Sequence, residues 1–227
     1  MEKDVILTIH KNFIRPESSL VKRFFGLPTG YLADVQGRRG ALDCGIRPMF
    51  DVKPFAGIAV TVKTVPDDNL APYAALDVLQ AGDVLVIATG DWTGSAVVGD
   101  LIVGMFKNRG VVGVVTDGAV RDVTGLMKVG VPVFARGTTA NSPQKNGPGT
   151  IGQPIVIGGV IVHSGDLVVG DRDGIVVLSR EQIHEALEEI EAIREKESKI
   201  EAEIARGLTK PDWVKEILAG GRVRYLD

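Results

Sequence analysis

The apolar runs of this chain are short, rich in β-branched residues and closed by glycine or a polar turn. That limits the fold more than any other feature. GIAVTVK at 57–63, VLVIA at 84–88, VVGVV at 111–115 and VPVFA at 131–135 have the length of buried strands, not of core helices. Two further runs, PIVIGGVIVHSGD and GDRDGIVVLS, follow each other with no helix between them. The first reads as a hairpin turning at Gly158-Gly159. Helical stretches precede and separate the earlier runs. SSLVKRFF is closed by Gly26-Leu27-Pro28, a helix over 72–80 has Asn69 as its cap and Gly82 after it, and a third runs from Gly99 to about Arg109, ended by Gly110. Strands that interleave with helices early and follow strands later predict an α/β fold of mixed α+β type, not a pure doubly wound sheet. The 28 glycines and 5% aromatics agree with many tight turns.

From Ser179 the pattern changes. Ser179 and Gln182 have the spacing of a capping box, and the helix they open is expected to run to about Ala205. Ile183, Leu187, Ile190, Ile193, Ile200 and Ile204 form one narrow apolar stripe, and the opposite face is dense in charge. Such a stripe on an overlong helix predicts docking on its own sheet first and, at Ile200 and Ile204, on a neighbouring subunit. TKPDWVKEILAGG adds a last short helix with Pro211 near its start. The expected organisation is one α/β domain over 1–179 and a C-terminal helical arm over 180–227.

With 26 basic against 29 acidic residues, the net charge of -3 gives no field that would draw in nucleic acid or an anionic membrane. Cys44 is the single cysteine, so no intramolecular disulfide forms, and a reducing compartment is the default. It lies in a Gly-rich turn without a nearby His and reads as structural. The N-terminal MEKDVILTIHKNF is not a signal peptide, and no run approaches the roughly 18 apolar residues of a spanning helix. A cytoplasmic protein with neither nucleic acid nor membrane as partner is expected. His10, His163 and His184 share no zinc-ligand spacing. Gly147-Pro148-Gly149-Thr150-Ile151-Gly152 matches GxGxxG. A Pro at its second position and a strand pair after it argue against dinucleotide binding. Lys145, in the polar SPQKNG loop within the turn-rich stretch 137–153, reads as a solvated lysine and not as a Schiff-base former.

The chemistry concentrates in 99–122, GDLIVGMFKNRGVVGVVTDGAVRD. A glycine-flanked helix start leaves backbone N–H groups open to a carboxylate or phosphate. The following strand carries Arg121 and Asp122 at its far end, where α/β folds place functional groups. If helix start and strand end share one sheet edge, Asp100, Arg121 and Asp122 converge. An Arg there can hold an oxo-acid oxygen, and a carboxylate can offer oxygen to a hard cation such as Mg²⁺. A second reading stands beside this one: Arg121-Asp122 as a structural pair capping a short helix over 122–128.

Residues from about 29 to 195 resemble the RraA-like family, which includes 4-hydroxy-4-methyl-2-oxoglutarate aldolases. The resemblance rests on Gly99-Asp100, on Arg121-Asp122 within NRGVVGVVTDGAVRD, and on GDLVVGDRDGIVVL before a charged helix. It implies a swivelling β/β/α-type sandwich and a metal-dependent carbon–carbon lyase of the pyruvate class, with Mg²⁺ or Mn²⁺ as cofactor. By the same resemblance the backbone of Gly99, Asp100, Leu101 and Ile102 cradles the carboxylate of a small 2-oxo acid. Arg121 contacts the oxo oxygen, Asp122 holds the metal, and Asp100 orients a water that donates a proton. Oxaloacetate decarboxylation is the expected side activity, and a homotrimer or a dimer of trimers the expected assembly. Leu101-Ile102-Val103-Gly104-Met105-Phe106 is bulkier than the Ala-rich run of many relatives. Two other functions follow from the family: a non-catalytic regulator of a ribonuclease, and a sugar-acid lyase or hydratase using the same metal site.

Overall fold

A computed structural model describes residues 5–226. They divide into two compact units, one ending at Ala186 and the other beginning at Leu187. The first unit is built on four parallel strands, Phe55–Thr64, Asp83–Ala88, Gly113–Thr116 and Val133–Ala135, lying side by side in that order. These are the four early apolar runs. Their side chains serve two cores in alternation. Val60, Val62, Leu85, Ile87 and Val114 pack with Phe106 and Leu126 on one face. Ala59, Val84, Val86, Val115 and Phe134 pack with Ile155 and Ile157 on the other. A sheet covered on both faces needs no polar alternation, which is why the runs are continuously apolar. Each Val, Leu or Ile so buried contributes about 1.5–3 kcal/mol.

Antiparallel strands make the sheet mixed. Gly149–Ile151 pairs with the second half of Phe55–Thr64, and Leu167–Gly170 with its first half and with Ile175–Leu178. The motif Gly147 to Gly152 is therefore part of a strand that leads into another hairpin, Ile155–Ile157 with Val160–Val162, turning at Gly158-Gly159 as predicted.

The strands Asp83–Ala88, Gly113–Thr116 and Val133–Ala135 each step, after a short break, into a second, smaller sheet. Its members, Ala96–Val98, Ala119–Val120 and Gly137–Thr138, are parallel and keep the order of the strands that feed them. Buried Asp117 ties this step together. Its Oδ1 accepts the Thr89 N–H at 2.6 Å and the Thr89 hydroxyl at 2.8 Å, and its Oδ2 accepts the Asp91 N–H at 3.2 Å. A buried carboxylate is tolerated only with such bonds to each oxygen.

Two local expectations are corrected. The helix over 72–80 is instead a short helix, Leu70–Ala74, running into a 3₁₀ turn, Ala75–Asp77. Asn69 precedes it but makes no side-chain cap; Asp68 Oδ1 accepts the Leu70 N–H at 2.8 Å, leaving the Asn69 amide to donate to the Val97 carbonyl. The capping box at Ser179 does not close. Arg180–Gln182 is a 3₁₀ turn in which Ser179 Oγ accepts from Glu181 N–H, and the α-helix Ile183–Ala205 follows. Along that helix Ile183, Leu187 and Ile190 are buried, whereas Ile200 and Ile204 are 41% and 58% exposed. A last helix, Asp212–Ala219, starts directly after Pro211. No helix among the described residues is long and apolar enough to cross a membrane.

At the start of the Asp83–Ala88 strand, Arg15 closes the sheet. Its Nη2 donates to Asp83 Oδ2 at 2.8 Å, and its guanidinium lies 4.2 Å over the Phe13 ring. Burial pushes the Asp83 carboxyl above the usual carboxylate range, against the pull of the Gln80 N–H and of Arg15. Arg15→Ala would leave this carboxylate buried without its cation, and the loss of one partner of a buried pair costs about 3 kcal/mol. A folded-state pKa above the unfolded one means stability falls as pH rises through the interval between them. The Arg15→Ala penalty should therefore be full at neutral pH and shrink once Asp83 is protonated in acid. Urea denaturation at both pH values checks it; an equal penalty at both would exclude Asp83 as its source.

Candidate functional site

The strand Ala96–Val98 ends at Gly99, where the helix Asp100–Asn108 begins; Ala119–Val120, paired with that strand, ends at Arg121. The Arg121 N–H donates to the Val98 carbonyl at 3.1 Å, so residues about twenty apart in sequence leave the small sheet as neighbours. Their closeness depends on glycine. A Cβ on Gly99 would lie 2.8 Å from Asp122 Oδ2 and 3.2 Å from Arg121 Cγ. Asp122 itself has φ 59° and ψ 42°, a left-handed conformation that Asp and Asn tolerate better than most side chains. It precedes the helix Val123–Val129. Asp100 lies against Gly125 of that helix, and a Cβ there would overlap the Asp100 side chain. The two carboxylates thus stand at one helix start, and Asp100, Arg121 and Asp122 come together where a helix start and a strand end meet.

Arg121 Nε donates to Asp122 Oδ2 at 3.2 Å, and its Nη1 donates to the Ser142 hydroxyl. Arg121 and Asp122 side chains are 37% and 45% exposed. The reading of this pair as a helix cap meets a specific obstacle: Asp122 makes no side-chain cap bond to the helix it precedes. The helix at Asp100 has Gly99 as its N-cap and no side-chain cap bond among the described residues, so its first-turn N–H groups are left without a cap.

These groups line a cleft of about 80 Å³. Gly99, Asp100, Leu101, Ile102, Arg121 and Asp122 all border it. So do Asn69, Tyr73, Ser142, Pro143 and Lys145, which sequence reasoning did not assign to a site. Asn69 is buried, and among the described residues its Oδ1 has no hydrogen-bond partner. Lys145 is exposed, as its polar loop implied, with Nζ 6.0 Å from the Tyr73 ring centroid. No local pattern marks these residues, because the 137–153 loop reaches the cleft only through tertiary contacts. The cleft therefore gathers two cations, two carboxylates and a row of backbone donors. Among the described residues no group of three or more His, Cys, Asp or Glu is placed to hold a metal ion. Mg²⁺ often takes only one or two carboxylates and keeps several waters, so Asp122 with Asp100 nearby fits such an ion.

A small parallel sheet beside a larger mixed sheet, with an Arg-Asp pair beside a helix start in one cleft, defines a class of mixed α/β protein. The chain belongs to the RraA-like family: the family model described as Aldolase/RraA matches residues 23–177. A Halalkalibacterium halodurans protein named "Putative 4-hydroxy-4-methyl-2-oxoglutarate aldolase" is 38% identical over 173 residues, 76% of this chain and 82% of that one. A solved structure of an uncharacterized Pseudomonas syringae pv. tomato protein matches with a TM-score of 0.78 and 28% identity, over 87% of this chain and 93% of that one. Streptomyces coelicolor RraAS2, described as an unusual member of the RNase ES inhibitor RraA protein family, matches with a TM-score of 0.72 and 30% identity, over 85% of this chain and 100% of its own.

The Asp100–Gly125 contact makes a prediction of its own. Gly125→Ala gains about 1 kcal/mol of helix propensity, but overpacking against Asp100 costs about 1–3 kcal/mol. Chemical denaturation should show a net loss; a stabilised variant would mean that Asp100 does not rest there.

Proposed function

We propose that the protein is a divalent-metal-dependent lyase that cleaves a 4-hydroxy-2-oxo acid, such as 4-hydroxy-4-methyl-2-oxoglutarate, to pyruvate. The observation that carries this reading is the meeting of Arg121 and Asp122 with the open helix start at Gly99 in one cleft. Family membership and the aldolase name of a relative support it. The N–H groups of Leu101 and Ile102 bind the substrate carboxylate, as free helix-start donors bind anions. Arg121 donates to the oxo oxygen, where negative charge grows as the C–C bond breaks. Ser142 and Asp122 hold its guanidinium in place for that task. Asp122, with Asp100 nearby, would hold Mg²⁺ or Mn²⁺, which when bound supplies Lewis acidity at the oxo group. Asp100 positions the water that returns a proton to the pyruvate carbon. Lys145 at the rim suits a second carboxylate on the distal half of the substrate. Oxaloacetate loses CO₂ through the same enolate, so it should be decarboxylated too.

The assembly proposed with this function is a homotrimer or a dimer of trimers. Leu101 and Met105 on one side of the site and Met127 on the other are 74%, 43% and 57% exposed, more apolar surface than an isolated polar cleft needs. Sedimentation should give three or six times the chain mass; a monomer with full activity would end this part of the proposal. A second reading, inhibition of a ribonuclease, is favoured by the likeness to RraAS2.

The deciding assay is pyruvate release from 4-hydroxy-4-methyl-2-oxoglutarate and from oxaloacetate, with Mg²⁺ and with a chelator. Release should stop in chelator and return with Mg²⁺ or Mn²⁺. Arg121→Ala should lower kcat about 10²–10³-fold, as removal of one principal oxyanion donor does. Arg121→Lys should restore little, since the planar fork is lost. Turnover that survives the chelator or Arg121→Ala would overturn the proposal.

A further inference from the structure

One wall of the cleft is the loop from Asn141 to Gly147, which contributes Ser142, Pro143 and Lys145. Nothing in its own sequence gives it a fixed shape. It is tied at both ends. At the first, the Ala96 N–H donates to the Asn141 carbonyl at 3.0 Å, and Asn141 Nδ2 donates to the Gly94 carbonyl at 2.8 Å. At the second, the loop runs beside Asp67–Asn69. There Gln144 N–H donates to the Asp67 carbonyl at 2.7 Å, and Asn69 N–H donates to the Gln144 carbonyl at 3.0 Å.

The side chain of Asp68 fastens this second end. It is 4% exposed and does not line the cleft. Its Oδ2 accepts the N–H groups of Asn146 at 2.5 Å and Gly147 at 3.0 Å, and its Oδ1 accepts the Leu70 N–H at 2.8 Å. One buried carboxylate therefore joins two segments almost eighty residues apart: the helix start that carries Asn69 and Tyr73, and the loop that carries Ser142 and Lys145. Hydrogen bonds to an ionised acceptor are about twice as strong as neutral ones, and here three of them engage both oxygens. A loop so held has one position to offer the Ser142 hydroxyl, which accepts from Arg121 Nη1.

We infer that Asp68 is a positioning residue: by fixing the Ser142–Lys145 wall it sets the direction of the Arg121 guanidinium. Its effect on turnover rests on the lyase proposal above; its effect on Arg121 does not. Asp68→Asn keeps the size of the side chain but replaces one acceptor oxygen with an NH₂ group, so the three N–H groups cannot all be met. Loss of a hydrogen bond to a charged group corresponds to about tenfold or more, and three results should follow. Amide exchange at Asn146 and Gly147 should quicken by at least that factor. The Arg121 Nε–H resonance should shift or broaden. Pyruvate release should fall by a similar factor in kcat/KM while the melting transition stays cooperative.

The route through Ser142 is tested by Ser142→Ala, an exposed substitution that leaves the buried carboxylate untouched. Alone it should change the Arg121 resonance, and added to Asp68→Asn it should lower kcat/KM by much less than it does in the wild type. An Arg121 resonance unmoved in Asp68→Asn, or losses that simply multiply in the double variant, would overturn the inference. If Asp68→Asn does not fold, the Ser142→Ala resonance decides alone, and no change there counts against it. If the wild-type chain releases no pyruvate from either acid, the lyase proposal fails, while Asp68 is still judged by the Arg121 resonance.

Discussion

The structure turns on the buried carboxylate of Asp117. The large sheet ends and the small one begins within a few residues of it, and the polypeptide there has no ladder partner. By accepting two N–H groups and a hydroxyl from Thr89 and Asp91, Asp117 fixes how the strand Asp83–Ala88 leaves the first sheet relative to the strand Gly113–Thr116. Both strands re-form beside each other as Ala96–Val98 and Ala119–Val120. Without that shared step, the helix start at Gly99 and the end of the strand at Arg121 would have no reason to emerge together.

What emerges is a small space in which opposite charges are close but not fully spent on each other. Arg121 is shared between Asp122 and Ser142, and part of its surface stays open. Asp100 packs against Gly125, and no ion pair to it stands among the described residues. Close packing of backbone at Gly99 and Gly125 substitutes for ion pairing, and it leaves carboxylate oxygens available to a ligand. The left-handed turn at Asp122 belongs to the same economy: a costly backbone conformation puts a side chain where an ordinary helix start would not.

The two ends of the parallel strands are treated differently. At their starts, Arg15 and Asp83 form a buried pair roofed by Phe13, a closed arrangement with little access. At their ends the chain opens into the second sheet and the cleft. Open α/β sheets place ligands beyond the carboxyl ends of their strands, and this chain follows that rule while inserting a small sheet between the strand ends and the site.

The sequence by itself determined the parts governed by neighbours along the chain. The four apolar runs became the parallel strands because a sheet covered on both faces demands continuous burial, and their length, β-branched residues and glycine or polar closures separated them from helices. Gly158-Gly159 made its hairpin, Gly99 and Gly110 bounded their helix, and a helix start at Gly99 with a strand ending at Arg121 allowed Asp100, Arg121 and Asp122 to meet. Where two residues competed for one local task, sequence could not choose: Asp68, not Asn69, took the N–H of Leu70, and Ser179 bonded Glu181 instead of closing a box with Gln182. Only the tertiary structure decided that Lys145 and Ser142 belong to the site. Their loop is polar and irregular, with no period to read, and its position is set by a carboxylate almost eighty residues earlier. Contacts of that range cost chain entropy that no local pattern records, so they become visible only when the segments have met.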